Sequence, residues 1–489
     1  MARIKPYVGD EDWLFVMSSP IVVGYLFTID RVNFGIGVRA MADLLSIILA
    51  AGEGTRMKSA LPKVLHPVGG LPVVSHVLRT AKSFGSRIAV VVGPGHEAVE
   101  QAVMRFENNA FISRQLERLG TAHAVQQARD AYQGETGNIL VLYADTPLVT
   151  EKTIAQIVGR LDAGADMVVV GFRPDNPTGY GRLLTDGNRL LAIREHKDAN
   201  DEERRVGLCN SGIIAFNADT LRAVIDRIDN KNAKGEYYLT DAVELAVADK
   251  RQIDFIEADA SELVGVDNRT KLAEAEATFQ QFKRAEMMEN GVTLRDPQSV
   301  FFSWDTECGR DVTIFPNVVF GPGVKIADNV EIRAFCDLED VVIGEGASIG
   351  PFARVRGGVE LGKNVHLGNF VEVKNSKLAD GVKAGHLSYL GDAEVGAKTN
   401  IGAGTITCNY DGVNKDKTVI GANAFIGSNA SLVAPVVIGD GAYTASGSVI
   451  TEDVPADAVA FGRARQENKA DYAPKLRERA LAKKAAKGK

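Results

Sequence analysis

The chain has 489 residues, 24% of them charged and 45% hydrophobic, with a formal net charge of −7. That length provides for two to four domains with ample core, and the acidic balance argues against nucleic-acid binding by the body of the chain. Cys209, Cys308, Cys336 and Cys408 stand far apart with no CxxC, which excludes a disulfide framework or a zinc site and suits a reducing compartment.

Residues 13–27, WLFVMSSPIVVGYLF, carry no charge. The run falls short of the ~20 apolar residues a membrane span needs, and Ser18-Ser19-Pro20 interrupts it. Asp10, Glu11 and Asp12 precede it, where a secretory signal would carry basic residues. Met41 and ADLLSIILAAG then open an ordinary α/β domain. The expectation is that residues 1–41 are an extension outside the fold, and that residues 1–40 are dispensable or not translated in the natural protein.

From Leu44 to about Val266, strands and helices alternate. LLSIILA (44–50) is a continuous apolar run, as in a buried parallel strand. Residues 73–85 have helical spacing, RIAVVVG (87–93) reads as a second strand, and NILVLYADTP (138–147) as another that stops at Asp145. Such alternation predicts a mostly parallel sheet with helices on both faces. Residues 270–290 read as one amphipathic helix joining two domains. Leu272, Ala275, Phe279 and Phe282 form its apolar stripe, and Asn290-Gly291 is its stop.

Past residue 311, aliphatic side chains recur every six residues. The runs are Val312, Val318, Val324, Val330; then Ile343, Ile349, Val355, Leu361, Leu367, Val373; then Ile420, Ile426, Leu432, Ile438, with Thr444 and Ile450 on the same spacing. A hexapeptide period marks a parallel β-helix, one repeat to each face of a coil. Between the runs the spacing is Val373, Leu378, Ala384, Leu390, Val395, Ile401, so two five-residue steps bracket His386. IGAGTITCNYDGVNKDKT (401–418) then breaks the ladder and predicts a loop carrying Asn409, Tyr410 and Lys415. Interruptions of a solenoid hold binding residues, whereas stacking by itself is a scaffold. The expected domains are residues 42–268, a helical linker at 269–291, a repeat domain at 292–468, and a basic, frayed tail at 469–489.

LAAGEGTRMKSALPKVL (49–65) follows the first strand. Gly52 and Gly54 are phosphate-cradle material, but the Gly-Lys-Ser/Thr ending of a Walker A loop and the third glycine of a dinucleotide fingerprint are missing. Arg56 and Lys63 add two cations, with Pro62 fixing the backbone beside the lysine. Glycine amides plus two cations suit a triphosphate better than a redox cofactor. Asp145, at the carboxyl end of a strand, lies where open α/β sheets bind ligands; taken alone it also reads as a turn cap.

LAAGEGTRM followed by Pro62-Lys63 resembles the nucleotidyltransferases that make nucleoside-diphosphate sugars. RQLERLGTAHA, LYADTP (with Ala144 where glycine is frequent), TGYGR, REHKDA, CNSG and GEYYLTD follow in that family's order. With the hexapeptide domain, residues 42–465 resemble the bifunctional UDP-N-acetylglucosamine pyrophosphorylase/glucosamine-1-phosphate N-acetyltransferases. The resemblance implies a Rossmann-like nucleotidyltransferase domain, a connecting helix and a left-handed parallel β-helix that assembles as a homotrimer. It implies Arg56 and Lys63 as catalytic cations. Leu49, Ala50, Ala51, Gly52, Lys63, Gln115, Gly120, Thr121, Tyr143, Gly181, Glu195, Asn210 and Asp267 would bind UTP and UDP-N-acetylglucosamine. Asp145 and Asp267 would hold Mg2+. Asp267, in GVDNR, stands where the family has asparagine, and Asn268 is the alternative ligand.

For the repeat domain, the resemblance implies His386 as general base of acetyl transfer. Arg356, Lys374, Tyr389 and Asn400 would bind glucosamine-1-phosphate. Ala403, Asn409, Tyr410, Ser428, Ser446 and Arg463 would bind acetyl-CoA. Gly357 follows Arg356 where proline is common, and Ser446 replaces an alanine. The implied function is acetyl transfer from acetyl-CoA to glucosamine-1-phosphate, then uridylyl transfer from UTP with release of pyrophosphate. That product feeds peptidoglycan and lipopolysaccharide precursors, in a cytoplasmic enzyme with no nucleic-acid partner and no membrane span. His66, His76, His96 and His123 read as ordinary helix or turn residues, and His196 receives no role. Two other readings stand beside this one. A single-activity nucleotidyltransferase with a β-helix used only for assembly is opposed by Lys374, His386, Tyr389 and Asn400 occurring together. A non-catalytic sensor of nucleotide sugars is opposed by Arg56, Lys63 and Asp145.

Overall fold

The computed structural model describes residues 44–187 and 189–487; the expected extension at 1–41 and the last two residues of the tail lie outside them. Strand β1 (Leu44–Ala50) is apolar but for Ser46, which accepts from the Ser86 hydroxyl at 2.8 Å, because both of its faces are covered. Helix α1 (Val73–Ser83), β2 (Arg87–Val92), α2 (Glu97–Phe106), β3 (Phe111–Arg114), β4 (Asn138–Tyr143), α3 (Glu151–Asp162), β5 (Met167–Phe172), β6 (Cys209–Asn217) and β7 (Ile253–Glu257) follow. The main sheet runs β7-β5-β6-β4-β1-β2-β3. All its neighbours are parallel except those of β6, which runs antiparallel to β4 and β5. Two apolar clusters lie on opposite sides of β1: Ile48 belongs to one, with α1, and Ile47 to the other, with Ala122 and Val125. The glycine-rich loop, Tyr143 and Asp145 therefore emerge together at the carboxyl ends of the central strands β1 and β4.

Helix α4 (Arg269–Glu289) is capped by the Asn268 side chain, which accepts from the Lys271 amide, and it ends at Asn290 before Gly291 at φ 94°. Its buried arc is turned from the expected stripe. Ala275, Phe279, Gln280 and Met287 are buried, while Phe282 is 41% exposed at the margin. The arc turns because Gln280 is drawn inward: its amide donates to the Phe302 carbonyl at 2.7 Å and accepts from the Phe302 N–H at 2.8 Å. A buried amide is tolerated when both ends are satisfied.

The hairpin at Pro67–Pro72 docks on this helix. Gly69 donates to Glu276 at 2.7 Å, and its carbonyl accepts from the Trp304 N–H at 2.8 Å. Arg79 stacks over Trp304 at 5.6 Å. His76 is buried with Nε2 on the Val68 carbonyl at 2.8 Å and its ring edge-on to Phe279. Burial pushes its pKa down to about 4 from 6.5. The folded value lies below the unfolded one, so as pH falls the unfolded chain takes up the proton first. Stability is then full above about pH 6.5 and is lost toward pH 4, by about 3 kcal/mol in all. Thermal unfolding across that window should show the slope, and His76→Gln, which keeps a donor but does not titrate, should flatten it.

From Thr293 the chain winds through three parallel sheets of ten, eight and eight strands, a left-handed parallel β-helix. We call them face 1 (from Thr293–Leu294), face 2 (from Val319–Phe320) and face 3 (from Glu307–Cys308). Ile332 pairs with Ile349, and Ile349 with Leu367, so a coil takes 17 or 18 residues. The inward ladder is double, which corrects the single ladder expected from spacing. Val312, Val318, Val324 and Val330 lie two residues before Ile314, Phe320, Ile326 and Ile332, and both rows are buried. It is the second row that continues through Leu338 to Ile343 and Ile349. A strand points residues i and i+2 the same way, so both rows face the core.

Five-residue steps occur at Leu338–Ile343, Val373–Leu378 and Leu390–Val395, and all three turn from face 2 to face 3. Asp340, Asn375 and Asp392 make these corners at φ 48°, 46° and 49°, a conformation that Asp and Asn tolerate best after glycine. Where the coil takes the full step, Gly357 and Gly358 have φ 72° and 80°. Proline, fixed near φ −65°, is incompatible with position 357 in this chain. The predicted excursion is present: Ile401 pairs with Ile426, and the loop from Asn409 to Lys417 lies between.

Candidate functional sites

In the first site the loop after β1 is held from outside. Arg118 donates from Nε to the Ala51 carbonyl at 2.7 Å and pairs with Glu53 at 2.7 Å. His96 bonds the Ala50 carbonyl at 3.2 Å, and the Ala144 N–H bonds that of Leu49 at 3.1 Å. Gly54 has φ 67°, and a side chain there would meet Lys63 Cβ at 2.7 Å. Gly52 leaves room against the Lys63 Nζ end. Lys63 is thereby laid across the loop, and its ammonium pairs with Asp145. The Val266 N–H donates to the Asp145 carbonyl at 2.8 Å, which brings the GVDNR segment beside that strand end. Asp267 pairs with Arg56 at 2.9 Å and Lys271 at 3.6 Å. Asn268 is already engaged: its oxygen caps α4 and its amide donates to Asp267 at 2.7 Å.

The remaining candidates of this domain also assemble. Gln115 donates to the Gly120 carbonyl at 3.0 Å and meets His123 at 3.0 Å. Gly120, at φ 121°, lies on the Tyr237 backbone, and Thr121 accepts from the Leu239 N–H at 2.9 Å, so GEYYLTD backs the Gly-Thr turn. The Tyr143 ring fills the space over Gly212, where a side chain would sit 2.5 Å away. Burial, then the nearby Glu195 carboxylate, pushes its phenol well above the usual range. Asn210 donates from its backbone to the Gly181 carbonyl at 2.9 Å, and Glu195 lies against Gly181. Burial also raises the Glu195 carboxyl. Arg118, Gly212 and Tyr237 were not singled out from sequence; only their places inside the quoted motifs pointed to them.

Among the described residues, no cluster of three or more His, Cys, Asp or Glu side chains could hold a metal ion. The donor set at this site is two carboxylates, Asp145 and Asp267, beside three cations. Hard oxygens in that number fit magnesium, which keeps water and phosphate as its other ligands; they do not fit a zinc site.

The second site occupies face 2 and the corner that leads onto it. His386 is exposed at the end of strand Lys383–His386, and its Nδ1 lies 2.9 Å from Asn369 Oδ1. Coil by coil, Ala403, Ser428, Ser446 and Arg463 occupy the same corner above it. The Asn429 N–H bonds the Ala403 carbonyl at 2.7 Å, and the Gly447 N–H bonds that of Ser428 at 2.8 Å. Across face 2, Glu372, Tyr389 and Ile406 are in register, as are Arg356, Lys374 and Gly391. Arg356 pairs with Glu372 at 2.7 Å. The Tyr389 hydroxyl lies over Gly391, where no side chain competes. Lys415 of the loop, then Arg356, holds the Lys374 ammonium below its usual range. Three cations thus crowd one edge, an arrangement that favours an anion between them.

Asn409 is an anchor for the loop: it is buried and donates to Asp392, which also accepts from Asn375. Tyr410 is exposed and bridges Lys415 across the loop. Asn400 stands apart from Tyr389, on face 1 in register with Lys383 and Phe425. One histidine escaped the sequence reading. His366, one coil below Lys383, has its pKa lowered by burial, then by Lys383, Arg333 and His386. Among the described residues, no helix is long and apolar enough to cross a membrane.

Comparison with known proteins follows the same division. Residues 46–206 match the MobA-like NTP transferase domain, and residues 340–375 and 417–452 match the bacterial transferase hexapeptide repeats. The chain is 51% identical over 440 residues to the bifunctional protein GlmU of Bartonella quintana, covering 90% of this chain and 98% of that one. It is 54% identical over 436 residues to the bifunctional protein GlmU of Azorhizobium caulinodans, covering 89% and 97%. With that of Paramagnetospirillum magneticum the identity is 51% over 451 residues, covering 92% and 100%.

Proposed function

The chain belongs to the family of the bifunctional GlmU proteins, and from that premise we propose how its two sites divide the work. It is a bifunctional enzyme of UDP-N-acetylglucosamine synthesis, an N-acetyltransferase and a uridylyltransferase. In the β-helix the amine of glucosamine-1-phosphate attacks the thioester carbonyl of acetyl-CoA, and His386 takes the amine proton as the amide bond forms; the C–S bond breaks to release a thiolate, to which the proton passes. A neutral imidazole suits that role near neutral pH. Arg356 and Lys374, with Lys415, bind the sugar phosphate, and Tyr389 and Asn400 bind the sugar. Ala403, Asn409, Tyr410, Ser428, Ser446 and Arg463 bind acetyl-CoA.

The observation that carries this reading is the corner column. His386, Ala403, Ser428, Ser446 and Arg463 follow one another up a single edge, an extended track that suits a long thioester carrier. The phosphate-binding cations line the far edge of the same face.

In the first domain an oxygen of N-acetylglucosamine-1-phosphate attacks the α-phosphorus of UTP and pyrophosphate leaves. The nucleophile is already ionised, so positioning and charge neutralisation by Arg56 and Lys63 carry the step. Leu49 to Gly52, Gln115, Gly120, Thr121 and Tyr143 hold the nucleotide, and Gly181, Glu195 and Asn210 hold the sugar. Asp145 and Asp267 would hold Mg2+, which when bound neutralises phosphate charge. Asn268, whose oxygen caps α4, is the less available ligand.

We read the assembly as a cytoplasmic homotrimer formed through the β-helix, supplying peptidoglycan and lipopolysaccharide precursors. An exposed column of stacked rings, Phe335, Phe352 and Phe370 (centroids 4.9 and 5.2 Å apart), supports association along this corner. Two assays test the division of work. Thiol release from acetyl-CoA should require glucosamine-1-phosphate, and pyrophosphate release from UTP should require N-acetylglucosamine-1-phosphate. Either release occurring only with a different sugar phosphate would overturn that assignment.

A further inference from the structure

Face 1 is built of two-residue strands with two exceptions. His366–Asn369 and Lys383–His386 each have four residues, and they are consecutive in the sheet. Their pairing runs two residues past the inward pair Leu367–Ala384, to Asn369 opposite His386. Glycines allow this extension. A side chain on Gly368 would collide with the Gly385 carbonyl oxygen, so the two strands close up only because position 368 has none. Elsewhere on this face the pairing ends at the inward pair. The strand pair is thus lengthened at one level, with no change in coil length, and the result is a side-chain contact of 2.9 Å between Asn369 Oδ1 and His386 Nδ1.

We propose that Asn369 is the positioning residue of the acetyl-transfer base. Its side-chain oxygen accepts the proton on His386 Nδ1, which fixes the tautomer with Nε2 bare and holds the ring toward face 2, where Tyr389 and Lys374 stand. This rests on the reading of His386 as the base. A neutral amide suits the surroundings: the titratable groups on and beside the packed strands are His366, Lys383 and Arg333 on face 1 and Glu372, Lys374 and Tyr389 on face 2. An amide fixes the tautomer without adding a negative charge beside the ring, whereas a carboxylate at 369 would stabilise the imidazolium and hold the base protonated to higher pH.

The test uses the full chain with acetyl-CoA and glucosamine-1-phosphate. Asn369→Ala should lower kcat for acetyl transfer by about 10- to 100-fold, the usual loss when a group that orients an active imidazole is removed, with both KM values within about twofold. Asn369→Asp restores an acceptor. It should recover most of kcat above neutral pH and displace the acid limb of the kcat–pH profile upward. Thermal unfolding and uridylyl transfer by the same preparations verify the fold. An unchanged kcat in Asn369→Ala, a change confined to KM, or an Asn369→Asp enzyme inactive at every pH overturns the proposal. His386→Ala run alongside separates the two claims. If it is inactive while Asn369→Ala is normal, only the positioning role fails; if it retains kcat, the base reading itself fails.

Discussion

His386→Ala loses acetyl transfer by about 10²- to 10⁴-fold, the range a positioned general base supplies, while uridylyl transfer from preformed N-acetylglucosamine-1-phosphate is retained. The selectivity follows from how the histidine is mounted. Its side chain is exposed and fills no core, so truncation leaves no cavity. The corner it stands on is secured by other groups: Ser388 Oγ donates to the His386 carbonyl at 2.8 Å, and the Gly404 N–H bonds the same carbonyl at 3.3 Å. Both bonds use backbone atoms that alanine keeps. The uridylyl site lies in another core, beyond α4 and the docked hairpin, and shares no side chain with this corner. Coupled acetyl-CoA and pyrophosphate assays on one preparation decide the matter. Loss of both activities in a protein with normal thermal unfolding would sink the model of two independent sites.

The sequence reading of this region was right about the ladder and mistaken about its irregularity. The hexapeptide period is legible because every face must bury its aliphatics, so the pattern survives any choice of surface residue. Two inward positions per face make two rows, and the early valines, buried as expected, belong to the row two residues before the one that continues. The five-residue steps flanking His386 are real, yet they belong to the corner between faces 2 and 3 and appear also at Asp340, more than two coils before His386. What accommodates His386 is a lengthened strand pair, which changes no coil length and leaves no trace in the spacing. Coil arithmetic could have found its partner, because Asn369 stands one 17-residue coil before His386.

In the first domain the order of motifs placed nearly every candidate around one strand-end cleft. Arg118 escaped because its target is the Ala51 backbone carbonyl, and no residue type advertises that need. Phe282 was misjudged because a helical wheel assigns inwardness by hydrophobicity, whereas Gln280 is drawn inward by a specific backbone partner.

Asp145→Asn lowers uridylyl transfer by about 10³-fold and leaves acetyl transfer unchanged. The substitution preserves size and removes only charge, so its effect isolates electrostatics. In the native loop Lys63 is steered past Gly54 into its ion pair with Asp145, and Arg56 is tied to Asp267 in the same way. On the proposed reading each cation would be partly neutralised by its carboxylate until the phosphates arrive. With asparagine at 145, Lys63, whose side chain is only 17% exposed, faces a neutral amide and loses its fixed direction. A hard-cation site loses one of its two carboxylates at the same time, a change worth several kcal/mol of transition-state stabilisation. The two losses are separable by a double-mutant cycle with Lys63→Ala. If Asp145 served only to aim Lys63, the double variant would be no worse than Lys63→Ala alone. The arrangement predicts a further loss of at least tenfold, because Asp145 also supplies an oxygen ligand that Lys63 cannot replace. Magnesium-dependent thermal stabilisation provides a second readout: it should weaken in Asp145→Asn and persist in Lys63→Ala. Equal stabilisation of both variants by magnesium would remove Asp145 from the metal site and leave it the narrower task of holding the lysine.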